Sequence, residues 1–264
     1  MKIQIAYLGP PGSFSHEAAT NWNQDATYVA SDTFESIVDA VEKGDVNEGV
    51  LPIENSTYGM VMDVLDLLGQ RPLIRIQSEI RIQINHCLIG HSRFSTQVSS
   101  HPQALGQCSE YLKPFELIHS SSTAAAVKQA ALNPNLLAVG SMIAAMEYGV
   151  PIIERNIQNS GTNTTRFFVI RRVDRVISES TTLRISICFS IDNVPGALST
   201  VLQVFTQHGV NIIKIESRPE SGFDSYLFYM DVEGCSEDTM SKVSNTLKVR
   251  WIRVLGAYPI ERIH

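Results

Sequence analysis

Gln4-Ile5-Ala6-Tyr7-Leu8-Gly9-Pro10-Pro11-Gly12-Ser13-Phe14-Ser15 is the stretch that decides how this chain is read. Residues 3–8 alternate as a strand does, stop at a glycine-proline corner, and give way to a helix beginning at His16-Glu17-Ala18-Ala19. The same strand-corner-helix pattern returns three times. Val50-Leu51-Pro52-Ile53 runs into Glu54-Asn55-Ser56-Thr57-Tyr58-Gly59, followed by a helix with Met60, Val61, Val64, Leu65 and Leu68 on one face. Val98-Ser99-Ser100-His101-Pro102-Gln103 puts a proline at the first helical position, with Ser100 or His101 as the cap. Leu117 to Thr123 leads into the run Ala124 to Leu132. Strands alternating with helices in this way predict an α/β fold.

Each corner sets hydroxyl or amide side chains and free backbone N–H groups at the positive end of a helix. Such ends bind carboxylates and phosphates without needing many cations. Ordinary N-capping explains any one corner equally well. Four of them are expected to face one crevice, because ligands of open α/β sheets bind beyond the carboxyl ends of the strands. None has the phosphate-loop lysine or the dinucleotide glycine pattern, which argues against nucleotides.

The late stretch Asn163-Thr164-Thr165-Arg166-Phe167 follows a Gly-Thr turn and opens the apolar strand Phe167 to Ile170. It offers a hydroxyl, a guanidinium and an aromatic ring where a loop becomes a strand, the set that an anionic ring compound needs. The order of segments suggests two lobes. Residues 1–75 and 163–180 form one; 76–162 form the other, with Arg81 to Gly90 as a strand. Thr165 then lies at the second crossing of a hinged cleft, where small-molecule pockets concentrate.

The remaining composition excludes more than it assigns. A chain of 264 residues with 44% hydrophobic content fills one large or two ordinary domains. A formal charge of -6 without a Lys/Arg block argues against nucleic acid or a membrane surface as partner. No apolar run is long enough to span a bilayer, and the first residues read as a strand, too short for a signal peptide. Cys87, Cys108, Cys188 and Cys235 are scattered, and the histidines lack ligand spacing. These features predict a cytoplasmic protein with idle thiols and no metal.

From Val173 to Thr182 the chain is polar and charged, as a linker is. Beyond it the pattern is strand (Leu183 to Ile191), helix (Pro195 to His208), strand (Val210 to Ser217), strand (Tyr226 to Val232), helix (Ser236 to Leu247) and strand (Trp251 to Tyr258). This βαββαβ order is a ferredoxin-like plait. Leu198, Val201, Leu202 and Phe205 are its inward helix residues, Gly209 ends that helix, and Glu220 to Asp224 make a hairpin turn. Glu216 and Arg218 share one strand face, where a surface ion pair is one reading. The flat sheet needs a partner surface, and its edges invite a second copy.

With these residues in place, the whole chain resembles the prephenate dehydratases that carry a C-terminal ACT regulatory domain. Gly9 to Ser15, Pro52 to Ser56, His101 to Cys108 and Thr165-Arg166-Phe167 match the catalytic motifs in order. Gly196-Ala197-Leu198 and Glu216-Ser217-Arg218-Pro219 match the regulatory ones. The resemblance implies a two-lobed catalytic domain (1–180) like a type II periplasmic binding protein, followed by an ACT domain (183–264). It implies decarboxylating dehydration of prephenate to phenylpyruvate in phenylalanine biosynthesis, with no cofactor and with feedback inhibition by phenylalanine. Thr165 becomes the donor at the departing hydroxyl, and Asn55, Ser56, Ser100 and Gln107 position the ring and its carboxylates. Arg166 is either a cation for the substrate or structurally paired; Phe167 either walls the pocket or packs in the core. Asn193, Gly196, Ala197, Leu198, Glu216, Ser217 and Arg218 are the implied phenylalanine contacts, at an interface of a homodimer or homotetramer. Two departures stand out. Some relatives carry an acidic residue near Ser120-Ser121-Ser122, absent here, and no chorismate mutase segment precedes Met1, as in the monofunctional form. Arogenate dehydratase is the alternative enzyme, and a noncatalytic cytosolic ligand sensor the alternative outside catalysis.

Overall fold

The protein is described by a computed structural model covering residues 2–173, 183–220 and 224–259. The expected linker lies almost wholly outside the described residues, as does the middle of the expected hairpin turn at Glu220 to Asp224. The elements run β1 (Gln4–Leu8), α1 (Phe14–Trp22), β2 (Thr27–Ser31), α2 (Phe34–Lys43), β3 (Glu48–Asn55), β4 (Gly59–Met60), α3 (Met62–Gln70), β5 (Ile74–Gln83), β6 (Cys87–Ile89), β7 (Gln97–Ser100), α4 (Pro102–Gln107) and α5 (Ser109–Leu112). They continue with β8 (Glu116–His119), α6 (Thr123–Leu132), β9 (Leu136–Gly140), α7 (Met142–Tyr148), β10 (Ile152–Glu154), β11 (Thr164–Arg172), β12 (Leu183–Asp192), α8 (Ala197–Gln207), β13 (Asn211–Pro219), β14 (Ser225–Cys235), α9 (Glu237–Thr246) and β15 (Trp251–Pro259).

The chain divides into two units. The first comprises Met1–Val61 and Ile80–Phe167. Its strands belong to two sheets, ordered β2-β1-β3-β11-β5, with β4 hung on β3, and β10-β6-β9-β7-β8. The β1–β2, β1–β3, β7–β8 and β7–β9 pairs are parallel. β9 shows why its sequence is apolar throughout. Ala138 packs in a cluster with Ile89, Val127 and Ala144, while Leu137 and Val139 pack in another with Val98, Leu105 and Leu112. A strand covered on both faces has no polar side to display.

The first corner is held from several directions. Ser13 caps α1 by accepting from the His16 N–H, and its own hydroxyl donates to the Leu8 carbonyl at 2.9 Å. Gly12 sits at φ +83°, and a β-carbon there would lie 2.8 Å from the Ala144 Cα. Only glycine meets both conditions cheaply.

Two expectations are corrected here. The run from Arg81 to Gly90 is not one strand. β5 ends in the first sheet at Gln83, and β6 begins in the second at Cys87. Residues 84–86 are the crossing, so the first lobe extends past 76 to the end of β5. The Ile84 N–H donates to the Asn163 carbonyl at 2.8 Å and the His86 N–H to Gln158 Oε1 at 3.0 Å, which ties this crossing to the returning one. The second correction is at Asn55. The chain turns there into β4, and α3 starts only at Met62. Met60 pairs with Glu54 across the hairpin and takes no part in the helix face.

The second unit comprises Met62–Glu79 and the described residues from Phe168 onward. Its sheet is ordered β13-β14-β12-β15 and every pair is antiparallel, the ferredoxin-like arrangement expected. Ile185, Ile187, Phe189 and Ile191 point to one face, where Val201, Val204 and Phe205 of α8 and Met240 and Val243 of α9 close the core. The opposite face of β12 carries Arg184, Ser186, Cys188 and Ser190, all buried. It meets α3 and β5. Arg184 pairs with Glu79 at 2.6 Å and with Glu233. Tyr229 donates to Asp66 at 3.0 Å, and Arg253 donates to the carbonyls of Gly69, in the last turn of α3, and of Arg71 just beyond it. The partner surface that the plait needs is thus supplied by the chain itself, which is why residues 62–79 pack with the C-terminal segment.

Candidate active site

Asn55 organises the cavity of the first unit. As the last residue of β3 it accepts the Thr57 and Tyr58 backbone N–H groups on Oδ1, at 2.9 and 3.1 Å. That turn fixes which end of the amide is oxygen. The two protons on Nδ2 must then be those donated to Asn163 Oδ1 at 2.7 Å and to Thr165 Oγ1 at 2.9 Å. Thr165 therefore accepts from Asn55, and its own hydroxyl proton stays free to donate elsewhere.

A cavity of about 220 Å³ opens beside this triad. Its walls are Phe14, Ser15, Pro52, Asn55, Ile84, His86, His101, Gln103, Ala104, Gln107, Thr123, Asn163, Thr165 and Phe167. Phe14 and Ser15 begin α1 and Thr123 begins α6, so two helix N-termini border it. The α4 start at Pro102 is there too, capped by the His101 side chain, which accepts from the Gln103 N–H. Three of the four corners read from the sequence thus reach one cavity as helix starts. The fourth reaches it as a hairpin turn.

Gln107 is held from behind by His86. The imidazole Nε2 lies 2.7 Å from Gln107 Oε1, and Gln107 Nε2 reaches toward the Tyr58 hydroxyl at 3.5 Å. An amide oxygen only accepts, so His86 Nε2 carries the proton. Burial pushes the His86 pKa below the usual imidazole range, against the opposing pull of the Gln107 hydrogen bond. The ring is neutral, leaving Nδ1 buried as a lone pair without a partner. Phe14 meets the same ring edge-on at 5.5 Å between centroids.

Among the residues expected at the substrate, Asn55, Gln107, Thr165 and Phe167 line the cavity, whereas Ser56, Ser100 and Arg166 do not. The reasons are local. Arg166 sits between Thr165 and Phe167 on β11, and alternate strand residues face opposite ways. Its guanidinium pairs with Glu54 at 2.7 Å, so of its two readings the structural pair is the one observed. Ser100 spends its proton on the Val139 carbonyl at 2.7 Å inside the second lobe. Ser56 links the hairpin turn to the returning crossing by accepting the Thr164 N–H at 3.0 Å. His86 and Asn163 were given no role from the sequence. His86 is hidden because it reads as one more residue of an apolar strand.

Among the described residues, no Asp, Glu, Lys or Arg lines the cavity. No cluster of three or more His, Cys, Asp or Glu fit for a metal occurs among the described residues. Nor is any helix among them long and apolar enough to cross a membrane.

In the second unit, Gly196 precedes α8 at φ +81° with open space around it. Asn193 is exposed in the preceding turn, and Ala197 and Leu198 are half-buried. Glu216, Ser217 and Arg218 lie on β13, an edge strand. The Gly196-Ala197-Leu198 motif thus opens a helix, whereas the Glu216-Ser217-Arg218 motif lies on a strand. The surface pair suggested for Glu216 and Arg218 gives way to another: Arg218 pairs with Asp66 of α3.

Comparison with known proteins agrees with this architecture. The prephenate dehydratase family model matches residues 5–175 and the ACT domain model residues 184–238. A bifunctional chorismate mutase/prephenate dehydratase of Aquifex aeolicus is 37% identical over 98% of this chain and 74% of its own length. A prephenate dehydratase of Methanocaldococcus jannaschii is 35% identical over 98% of this chain and 99% of its own. An arogenate dehydratase/prephenate dehydratase of Arabidopsis thaliana is 34% identical over 98% and 74%. Among solved structures, GqqA, described as a quorum-quenching acylase, superposes with a TM-score of 0.89 at 29% identity, covering 98% of each chain. Prephenate dehydratase of Arthrobacter aurescens in complex with L-Phe gives 0.87 at 26%, covering 97% of this chain and 89% of that one. Matches of this extent, over both the cavity-bearing segment and the plait, make the chain a member of the prephenate dehydratase family with an ACT domain.

Proposed function

We propose that the cavity binds prephenate and that Thr165 donates to its departing 4-hydroxyl. The observation carrying this reading is the Asn55 hub, which donates to one lone pair of Thr165 and leaves the Thr165 proton available. Prephenate loses its ring carboxylate as carbon dioxide while the C4–O bond breaks, and the electron pair from the first bond aromatises the ring. Charge builds on the departing oxygen, and a fixed hydroxyl donor there strengthens its hydrogen bond as the reaction proceeds. Phe167 gives the ring a flat apolar wall. Gln107 and the N-termini of α1 and α6 supply N–H groups for the carboxylates. The reaction exchanges no electrons with an outside carrier, so the reading needs no cofactor.

Arogenate differs from prephenate in carrying an ammonium group. Among the described residues no carboxylate lines the cavity to meet one, which favours prephenate. The acylase reading suggested by GqqA asks for a nucleophile beside a base. Here the Ser100 hydroxyl is turned to the Val139 carbonyl, and His86 faces Gln107.

For the plait, the reading is feedback inhibition by L-phenylalanine held between two copies. β13 is an edge strand with Ile213 and Ile215 each 38% exposed, and Val194 is 59% exposed at the turn before α8. Pairing two copies along this face brings one copy's turn toward the other's strand. We place the enzyme in the cytoplasm, where its four buried free cysteines need no protection from oxidation.

The test is turnover of prephenate and arogenate by the purified chain and by Thr165→Val, with and without phenylalanine. Thr165→Val is expected to lose about 10²–10⁴-fold in turnover, roughly 3–5 kcal/mol of barrier, with Thr165→Ser losing less. Wild-type turnover in the valine variant removes Thr165 from the mechanism.

A further inference from the structure

The cavity wall holds a donor with nothing to donate to. Asn163 is 8% exposed, and its Nδ2 is buried without a hydrogen-bond partner. Its orientation is not free. Asn55 is fixed by its own turn and gives one Nδ2 proton to Asn163, so the atom receiving it at 2.7 Å is the Asn163 oxygen. The Thr57 hydroxyl points to the same oxygen at 3.4 Å. The Asn163 nitrogen, with two protons, thereby has no acceptor among the described residues. An orphaned buried N–H group costs about 1–3 kcal/mol and is rare in native proteins. It persists where a ligand completes it. The Asn163 oxygen and the Thr165 oxygen are both held by the single Asn55 nitrogen, so the two side chains, which both line the cavity, stand side by side at one end of it.

We infer that Asn163 Nδ2 and Thr165 Oγ1 together form a two-donor hole for the hydroxide leaving C4 of prephenate. This rests on the reading of Thr165 given above. In the step, the C1–carboxylate bond breaks to release carbon dioxide and its electron pair enters the ring. The C4–O pair departs with the oxygen. The substrate dianion becomes phenylpyruvate monoanion, carbon dioxide and hydroxide, and hydroxide takes its proton from solvent. Asn163 transfers no proton. It donates an N–H to an oxygen whose negative charge exists mainly in the transition state, so its effect falls on kcat. A contact to a ground-state carboxylate would fall on KM instead.

Asn163→Asp is the informative variant. The carboxylate keeps an oxygen for Asn55 and exchanges the donor for a second oxygen. At pH 8 it sets negative charge where the hydroxide departs, and kcat is expected to fall about 10²–10³-fold, the usual loss for one such donor, with KM within about threefold. A carboxylic acid donates again once protonated. The ratio of variant to wild-type kcat therefore rises at least about fivefold between pH 8 and pH 5, with the no-enzyme rate subtracted. Asn163→Ser, which keeps a donor of smaller size, is the second variant should the aspartate not fold, and it retains more kcat than Asn163→Ala. Thr165→Val is assayed beside them. A crippled valine variant with normal Asn163→Asp turnover overturns the two-donor hole alone. A fully active valine variant overturns the reading of Thr165 itself. A rise in KM with kcat kept, or a pH-independent ratio, also overturns the role given to Asn163.

Discussion

Removing the His86 ring should cost catalysis through Gln107 rather than through the substrate. The contact is a neutral hydrogen bond of 2.7 Å between Nε2–H and the Gln107 Oε1, made by a histidine only 2% exposed. A bond of this kind contributes about 0.5–1.5 kcal/mol net, and leaving its acceptor buried and unsatisfied costs about 1–3 kcal/mol. His86→Leu removes the donor and lets the Gln107 amide rotate, so kcat/KM should fall by about 5–150-fold, which is that 1–3 kcal/mol converted at about 1.4 kcal/mol per decade. The decisive assay is a double-mutant cycle with Gln107→Leu. If His86 acts only by holding Gln107, the double variant is no worse than Gln107→Leu, and the coupling equals most of the His86→Leu loss. His86→Gln, which places an amide N–H near the position of Nε2, recovers more activity than His86→Asn. The depressed pKa adds a second check. With the ring neutral, His86→Leu lowers kcat/KM without changing the shape of its pH profile. Losses that add within about 0.5 kcal/mol across the cycle refute the argument, because independent sites behave that way.

Two further outcomes concern stability and regulation. Burial raises the Glu17 carboxyl from 4.5 to about 6, so the folded state binds its proton more tightly than the unfolded state and stability is lost as pH rises through that window. Glu17→Gln should gain up to about 2 kcal/mol at pH 8 and nothing at pH 4, seen in paired thermal melts; equal melting at both pH values contradicts it. Asp66→Asn keeps an acceptor for Tyr229 and loses the pair with Arg218. If that pair links β13 to α3, the phenylalanine concentration for half inhibition rises, by about fivefold at most for a partly exposed pair of about 1 kcal/mol, with basal kcat kept. An unchanged inhibition curve removes the link.

How much of this was legible in the sequence depends on the range of each interaction. The plait could be read nearly to its boundaries, because helix and strand periods, Gly209 and the caps are local signals. Asn55 and Thr165 emerged because each sits where a loop and a strand meet, and Gln107 emerged only through the resemblance of His101 to Cys108 to the family's motif. What stayed hidden depends on partners distant in the chain. Arg166 has Glu54, Ser100 has the Val139 carbonyl, and Arg218 has Asp66. The strand period alone separates Arg166 from Thr165 and Phe167, a signal present in the sequence and outweighed there by the appeal of a cation. The apolar run after Gly59 concealed a two-residue strand, since Met60 and Val61 fit a helix face as well as a hairpin. His86 concealed a change of sheet, because three crossing residues do not interrupt an apolar pattern long enough to announce a loop.

That no lysine or arginine among the described residues lines the cavity bears on how the proposed dianionic substrate would be handled there. A guanidinium against a carboxylate binds substrate and transition state alike, and uniform binding lowers KM without raising kcat. Amide and hydroxyl donors, with the ends of α1 and α6, supply partial charges instead, each helix end contributing about 0.3–1 kcal/mol and up to about 2 when partly buried. On the function proposed above, such donors would hold the carboxylates without fixing them so firmly that one cannot leave as neutral carbon dioxide. The full charge of Arg166 is meanwhile neutralised by Glu54 on the reverse side of the same strand. On that reading the donors act most strongly where charge is created rather than where it arrives, and the Asn55 hub, bonded to both Asn163 and Thr165, is the feature that aims them.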